Sequence, residues 1–107
     1  MRDYERRKLH RLVRHLKAEV PLTLPVSVRV AKIPKRLKMD GYTTFDGASL
    51  SIRIANGRYS TAVDTLVHEW GHALVICAGY EHDAAHFGPE FARAYQAWER
   101  FDPKARK

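Results

Sequence analysis

Residues 68–72 read His68-Glu69-Trp70-Gly71-His72, an HExxH pentapeptide. On an α-helix, positions i and i+4 share a face one turn apart. His68 and His72 can therefore aim both imidazoles at a single metal ion. Glu69 is offset around the helix, where it can reach a metal-activated water without ligating. The chemistry this spacing supports is zinc-assisted hydrolysis, with the two histidines as ligands and Glu69 as general base.

The flanks say what must hold the pentapeptide. Ala62, Val63, Leu66, Val67, Trp70 and Leu74 have helical apolar spacing, which predicts a buried helix over about 60–78. Ser60 is the expected N-cap, Asp64 lies toward the positive end of the dipole, and Gly79 is placed to be the C′ residue. The plainer alternative is two solvated histidines on an ordinary helix. Against it, a polar trio in so apolar a segment needs a partner.

Catalytic zinc usually takes three protein ligands and a water. The connector Tyr80–Phe87 and the residues just beyond it offer Glu81, His82, Asp83, His86 and Glu90. His86 is favoured, because Pro89 suits the first position of a helix and a residue just before that helix can point back at its predecessor. His82 is the alternative. A helix starting directly after His82 would carry Pro89 inside it, where proline breaks the hydrogen-bond ladder.

The remaining elements form the frame. Leu9, Leu12, Val13 and Leu16 mark an amphipathic helix over about 4–19, with Arg6, Arg7, Lys8, Arg11, Arg14 and Lys17 on its other faces. Pro21 and Pro25 end it. From Val26 the period changes to two, and Val26, Val28 and Val30 mark a strand. Pro34–Asp40 reads as a basic loop. Gly41–Phe45 and Ala48–Ala55 flank Asp46-Gly47, a strong hairpin signal. A last helix over about 89–101 aligns Phe91, Tyr95, Trp98 and Phe101 in one stripe, expected to be core. The order is α-β-β-β-α-α, an α+β domain with a small sheet packed on the HExxH helix.

A chain of 107 residues suggests one domain with a modest core. Cys77 is the single cysteine, so no internal disulfide framework exists, which fits a reducing compartment. It reads as a small buried hydrophobe. The longest apolar run, Ala73–Ala78, is too short to span a membrane, and a cytoplasmic location follows as the expectation. Charge is uneven: residues 1–38 carry +9 and residues 39–107 carry −2. Such asymmetry suggests nucleic acid as a partner of the basic half, against a solvated helix face as the plain alternative.

At this point the residues resemble a family. Asp64–Leu74, followed by His86-Phe87-Gly88-Pro89-Glu90-Phe91, is similar to the SprT-like zinc metallopeptidases, above all the short stand-alone forms of bacteria and phages. The resemblance covers about residues 40–98. It implies a minimal zincin-like domain with a catalytic core of about 26–101, Zn2+ held by His68, His72 and a third histidine, and Glu69 as general base. Two departures stand out. In the family the third histidine directly precedes Gly-Pro-Glu, whereas Phe87 intervenes here. Aligned instead through Phe87-Gly88, Phe91-Ala92-Arg93 and Tyr95, the pattern falls nearer His82. Nor does a cysteine-rich zinc ribbon of the kind found in larger members follow within these residues, so DNA recruitment through one is not implied.

The expectation is a zinc-dependent metallopeptidase acting on a protein or peptide substrate extended along the edge of the sheet, with DNA-associated proteins as one substrate class. Two alternatives come from other classes. One is a basic nucleic-acid-binding module with structural zinc; the other is a pseudo-enzyme that keeps the metal and serves as an interaction module.

Overall fold

The computed structural model describes residues 1–80 and 84–101. Helix α1 spans Asp3–Glu19, strand β1 Val26–Ala31, β2 Gly41–Phe45 and β3 Leu50–Ala55, helix α2 Tyr59–Cys77 and α3 Ala84–Glu99. A single 3-10 turn, Lys35–Leu37, lies in the basic loop. Together they make a small α+β domain of three strands and three helices, in the α-β-β-β-α-α order the periodicity predicts.

The sheet order is β1-β3-β2, with β3 central. β1 runs parallel to β3, and β2 pairs antiparallel with it. The registers Val26↔Leu50, Val28↔Ile52 and Val30↔Ile54 stack the apolar residues of both strands on one face. Leu50, Ile52 and Ile54 are buried there, while Ser51 and Arg53 on the opposite face stay half-exposed. The hairpin loop is four residues long, so β3 starts two residues later than the Ala48 expected. Asp46 causes this: its carboxylate accepts hydrogen bonds from the backbone N–H groups of Ala48 and Ser49 at 2.8 and 2.7 Å, holding both in the loop.

Helices cover the apolar face. Leu9, Leu12, Val13 and Leu16 of α1 join Leu66, Val67 and Trp70 of α2 in one buried cluster. Trp70 is wholly buried, and its indole N–H donates to the Val20 carbonyl at 3.0 Å, tying the middle of α2 to the end of α1. Cys77 is half-buried and packs against this core.

The helix ends differ from expectation in two places. α2 begins at Tyr59 with Arg58 as N-cap, so Ser60 lies in the first turn and caps nothing. Its C-terminus is as expected: Gly79 N–H bonds the Ile76 carbonyl and Tyr80 N–H the Val75 carbonyl, the paired bonds of a Schellman motif. α3 starts at Ala84, not at Pro89, and contains the proline. Gly88 relieves the conflict, because without a Cβ it escapes part of the clash that proline imposes on the residue before it. Ala85, whose carbonyl loses its helical donor, is exposed to water.

The aromatic stripe on α3 is only partly core. Ala94 and Ala97 are completely buried, and Phe91, Trp98 and Phe101 pack around them half-buried. Tyr95 is 42% exposed. Small residues win the central positions because α3 lies close against its neighbours. Among the described residues no helix is long and apolar enough to cross a membrane.

Candidate metal centre

One turn of α2 carries the chemistry. The imidazoles of His68 and His72 turn toward each other, with their Nε2 atoms 3.0 Å apart. Ligand atoms of His68, Glu69 and His72 all lie within 4.8 Å of one another, and this is the one such group among the described residues. Two neutral imidazoles cannot both present lone pairs at that distance without repulsion; one must donate, or a cation must lie between them. Nitrogens bound about 2.0–2.1 Å from a tetrahedral zinc stand roughly 3.3 Å apart. The observed separation is close to that, so the donor set fits a metal ion.

Burial divides the three residues by role. His68 is exposed, His72 is half-buried, and Glu69 is only 7% exposed. A carboxylate so far from water needs a hydrogen-bond donor, and Thr43 of β2 supplies it: its hydroxyl donates to Glu69 Oε1 at 2.7 Å. The sheet register makes this contact available. Thr43 pairs with Ile52, so its side chain lies on the helix-facing side of the sheet.

Gly41, two residues earlier on that face, lets β2 come close to α2. A Cβ at Gly41 would stand 2.5 Å from Thr65 Cγ2 and 2.6 Å from the Arg53 carbonyl oxygen. Thr65 lies one helical turn before Glu69. Thus glycine seats the strand against α2 at one turn, and threonine reaches the carboxylate at the next.

Aromatic rings from α3 back the histidine pair. Phe87 stacks on His72 with centroids 4.3 Å apart and lies 4.9 Å from the His68 ring, and Phe91 stands 6.0 Å from His68. Gly71 permits this approach: a Cβ there would meet the Phe91 Cα at 3.0 Å and the Phe87 ring at 3.1 Å. The glycine inside the pentapeptide is therefore a point of close approach between α2 and α3.

His86, favoured from sequence as the third ligand, is not brought to this group. It sits inside α3, and its ring stacks on Tyr80 at 3.8 Å. The expectation rested on a helix starting at Pro89; with the start at Ala84, His86 becomes a helical residue rather than one poised before a helix. His82, the alternative, lies outside the described residues, as do Glu81 and Asp83. Glu90 is engaged with Arg93 at 2.7 Å.

Thr43 and Phe87 are the site residues that sequence spacing did not single out as participants. Period-two alternation in Gly41–Phe45 puts residue 43 on one face of a strand but does not say which helix that face meets. Beside the histidines, a cleft of about 310 Å3 is lined by Gly41, Tyr42, Thr43, Glu69, His72, Val75 and Ile76. It runs along β2, whose outer edge is unpaired within the sheet.

No family model matches the sequence, and no curated protein or solved structure is significantly similar to it.

Proposed function

We propose that this protein is a zinc-dependent metallopeptidase with a zincin-like core, as the resemblance to the SprT-like family implies. The observation that supports this best is the pairing of two converging imidazoles with a buried carboxylate held by Thr43. His68 and His72 would hold the ion, and with His86 stacked on Tyr80 we propose His82 for the third position. Bound there, zinc supplies Lewis acidity, polarising the scissile carbonyl and making a water nucleophilic near neutral pH.

The chain's own groups do the rest. Glu69 accepts the proton from the attacking water at one carboxylate oxygen and returns it to the departing amine. Thr43, bonded to Oε1, fixes the carboxylate so that its other oxygen is the one presented for this transfer. The substrate lies extended along the open edge of β2, using that strand's unpaired backbone groups as an added strand. Tyr42 and Phe45, both exposed on β2, give side-chain contacts along the same edge. A structural zinc site is less well supported, since such sites are closed by four protein ligands and the described cluster offers two histidines and one glutamate.

The test is Glu69→Gln beside His68→Ala and His72→Ala. Glu69→Gln keeps stoichiometric zinc by mass spectrometry and loses peptide hydrolysis by 100-fold or more, on the order of what a general base contributes. Each histidine variant loses both. Cleavage that persists in Glu69→Gln rejects the mechanism.

A further inference from the structure

The edge of the sheet opposite the metal centre is built differently. β1 pairs with β3 on one side only within the sheet, and residues of α1 and β1 line a common groove. This groove of about 590 Å3 has Val13, Val26 and Val28 as its floor. Its wall on α1 carries Arg7, Arg11, Arg14 and Lys17, with His10 among them. The spacings of 4, 3 and 3 place one cation per helical turn, over about 15 Å of helix. A second recess of about 580 Å3, at the Val30–Ala31 end of β1, carries Arg6, Lys32 and Lys35.

None of the residues lining either recess is acidic. The four α1 cations have no ion-pair partner among the described residues. A row of like charges this dense repels itself unless an anion lies along it. Three of the four are arginines, whose planar guanidinium binds phosphate oxygens in pairs.

We infer that the α1–β1 groove is a binding track for the phosphodiester backbone of a nucleic acid. The recognition is independent of sequence, because no Phe, Tyr or Trp lines the groove, and His10 is the single ring there, too few for a run of stacked bases. A recessed track with valines beneath the cations suits a strand lying along it. An anionic bilayer would instead favour apolar side chains projecting past the charges. None of the large exposed hydrophobics lines either recess, and the one on α1, Tyr4, stands a turn before Arg7 as a single side chain. The track borders β1 while the Glu69 cleft borders β2, so an occupied track leaves the cleft open. This inference stands whether or not the metal centre cleaves peptides.

The experiment measures fluorescence anisotropy of a labelled 20-nucleotide DNA, single-stranded and as a duplex, with the Glu69→Gln protein, so that its outcome is separate from that of the hydrolysis test. Binding is expected at 50 mM salt, falling steeply by 200 mM. Arg11→Gln/Arg14→Gln should weaken it at least tenfold and lower the log–log salt slope by about 1.5, from the 0.7–0.9 that each phosphate contact contributes. Arg36→Gln/Lys38→Gln, an equal charge change on the 3-10 turn, should alter affinity less than threefold. Whichever DNA form binds more tightly identifies the favoured source of the backbone. As a second measurement on the unaltered groove, bound DNA should protect Lys17 from acetylation and leave Lys38 reactive. Equal losses in the two double variants, absence of binding at low salt, or binding only to phosphatidylserine vesicles would each overturn the assignment.

Discussion

Thr43 of the edge strand donates its hydroxyl hydrogen to the Oε1 of Glu69, buried in α2, over 2.7 Å. The bond joins the strand proposed to receive substrate to the carboxylate proposed to move its proton. A shift in β2 is therefore transmitted to the carboxylate. Thr43→Val keeps the shape and removes the donor. A buried carboxylate that loses such a bond costs about 1–3 kcal/mol, read as a lower urea midpoint. Peptide turnover should fall through kcat more than KM, and Thr43→Ser should restore it. Equal turnover in Thr43→Val would show that the bond is structural only.

The third ligand can be assigned by difference. His82→Ala and His86→Ala should part company in zinc stoichiometry measured after dialysis. The stacking of His86 on Tyr80 leads us to expect His86→Ala to retain zinc and His82→Ala to lose it. The reverse result would mean that α3 rearranges around its proline when metal binds.

Gly41 should tolerate no side chain. A Cβ there meets backbone, the Arg53 carbonyl at 2.6 Å, as well as Thr65. Backbone cannot swing aside as a flexible side chain does, so Gly41→Ala must push β2 off α2. Overpacking of this kind costs about 1–3 kcal/mol. Because the shift also moves Thr43, hydrolysis should drop more than stability does. Chemical denaturation paired with a peptidase assay checks both.

The hairpin loop makes stability depend on acid. Asp46 has its carboxyl held below the ordinary 3.8 by the backbone N–H of Ser49, then that of Ala48, then the Ser49 hydroxyl. A depressed carboxyl stabilises the fold above its unfolded value and loses that contribution as pH falls through the folded value. Asp46→Ala should therefore be less stable than the parent at pH 7, and the gap should close below pH 3.8. Urea midpoints across pH 2–7 provide the check; a gap constant down to pH 2 would contradict it.

Much of this protein was legible in its sequence because the forces concerned are local. Leu9, Leu12, Val13 and Leu16 delimit α1 through a period that needs no partner to define it, and Val26, Val28 and Val30 do the same for β1. His68 and His72 converge because four residues make about one helical turn, whatever the helix packs against. Tertiary structure decided the rest. α3 runs from Ala84 through Pro89 against the proline's intrinsic preference, with Phe87 and Phe91 packed at Gly71. That choice moved His86 onto a helix and against Tyr80. The donor for Glu69 came from 26 residues away, across a strand order, β1-β3-β2, that no local period encodes. Contacts of that separation are set by which faces the chain buries together, so they exist only once the whole core has formed.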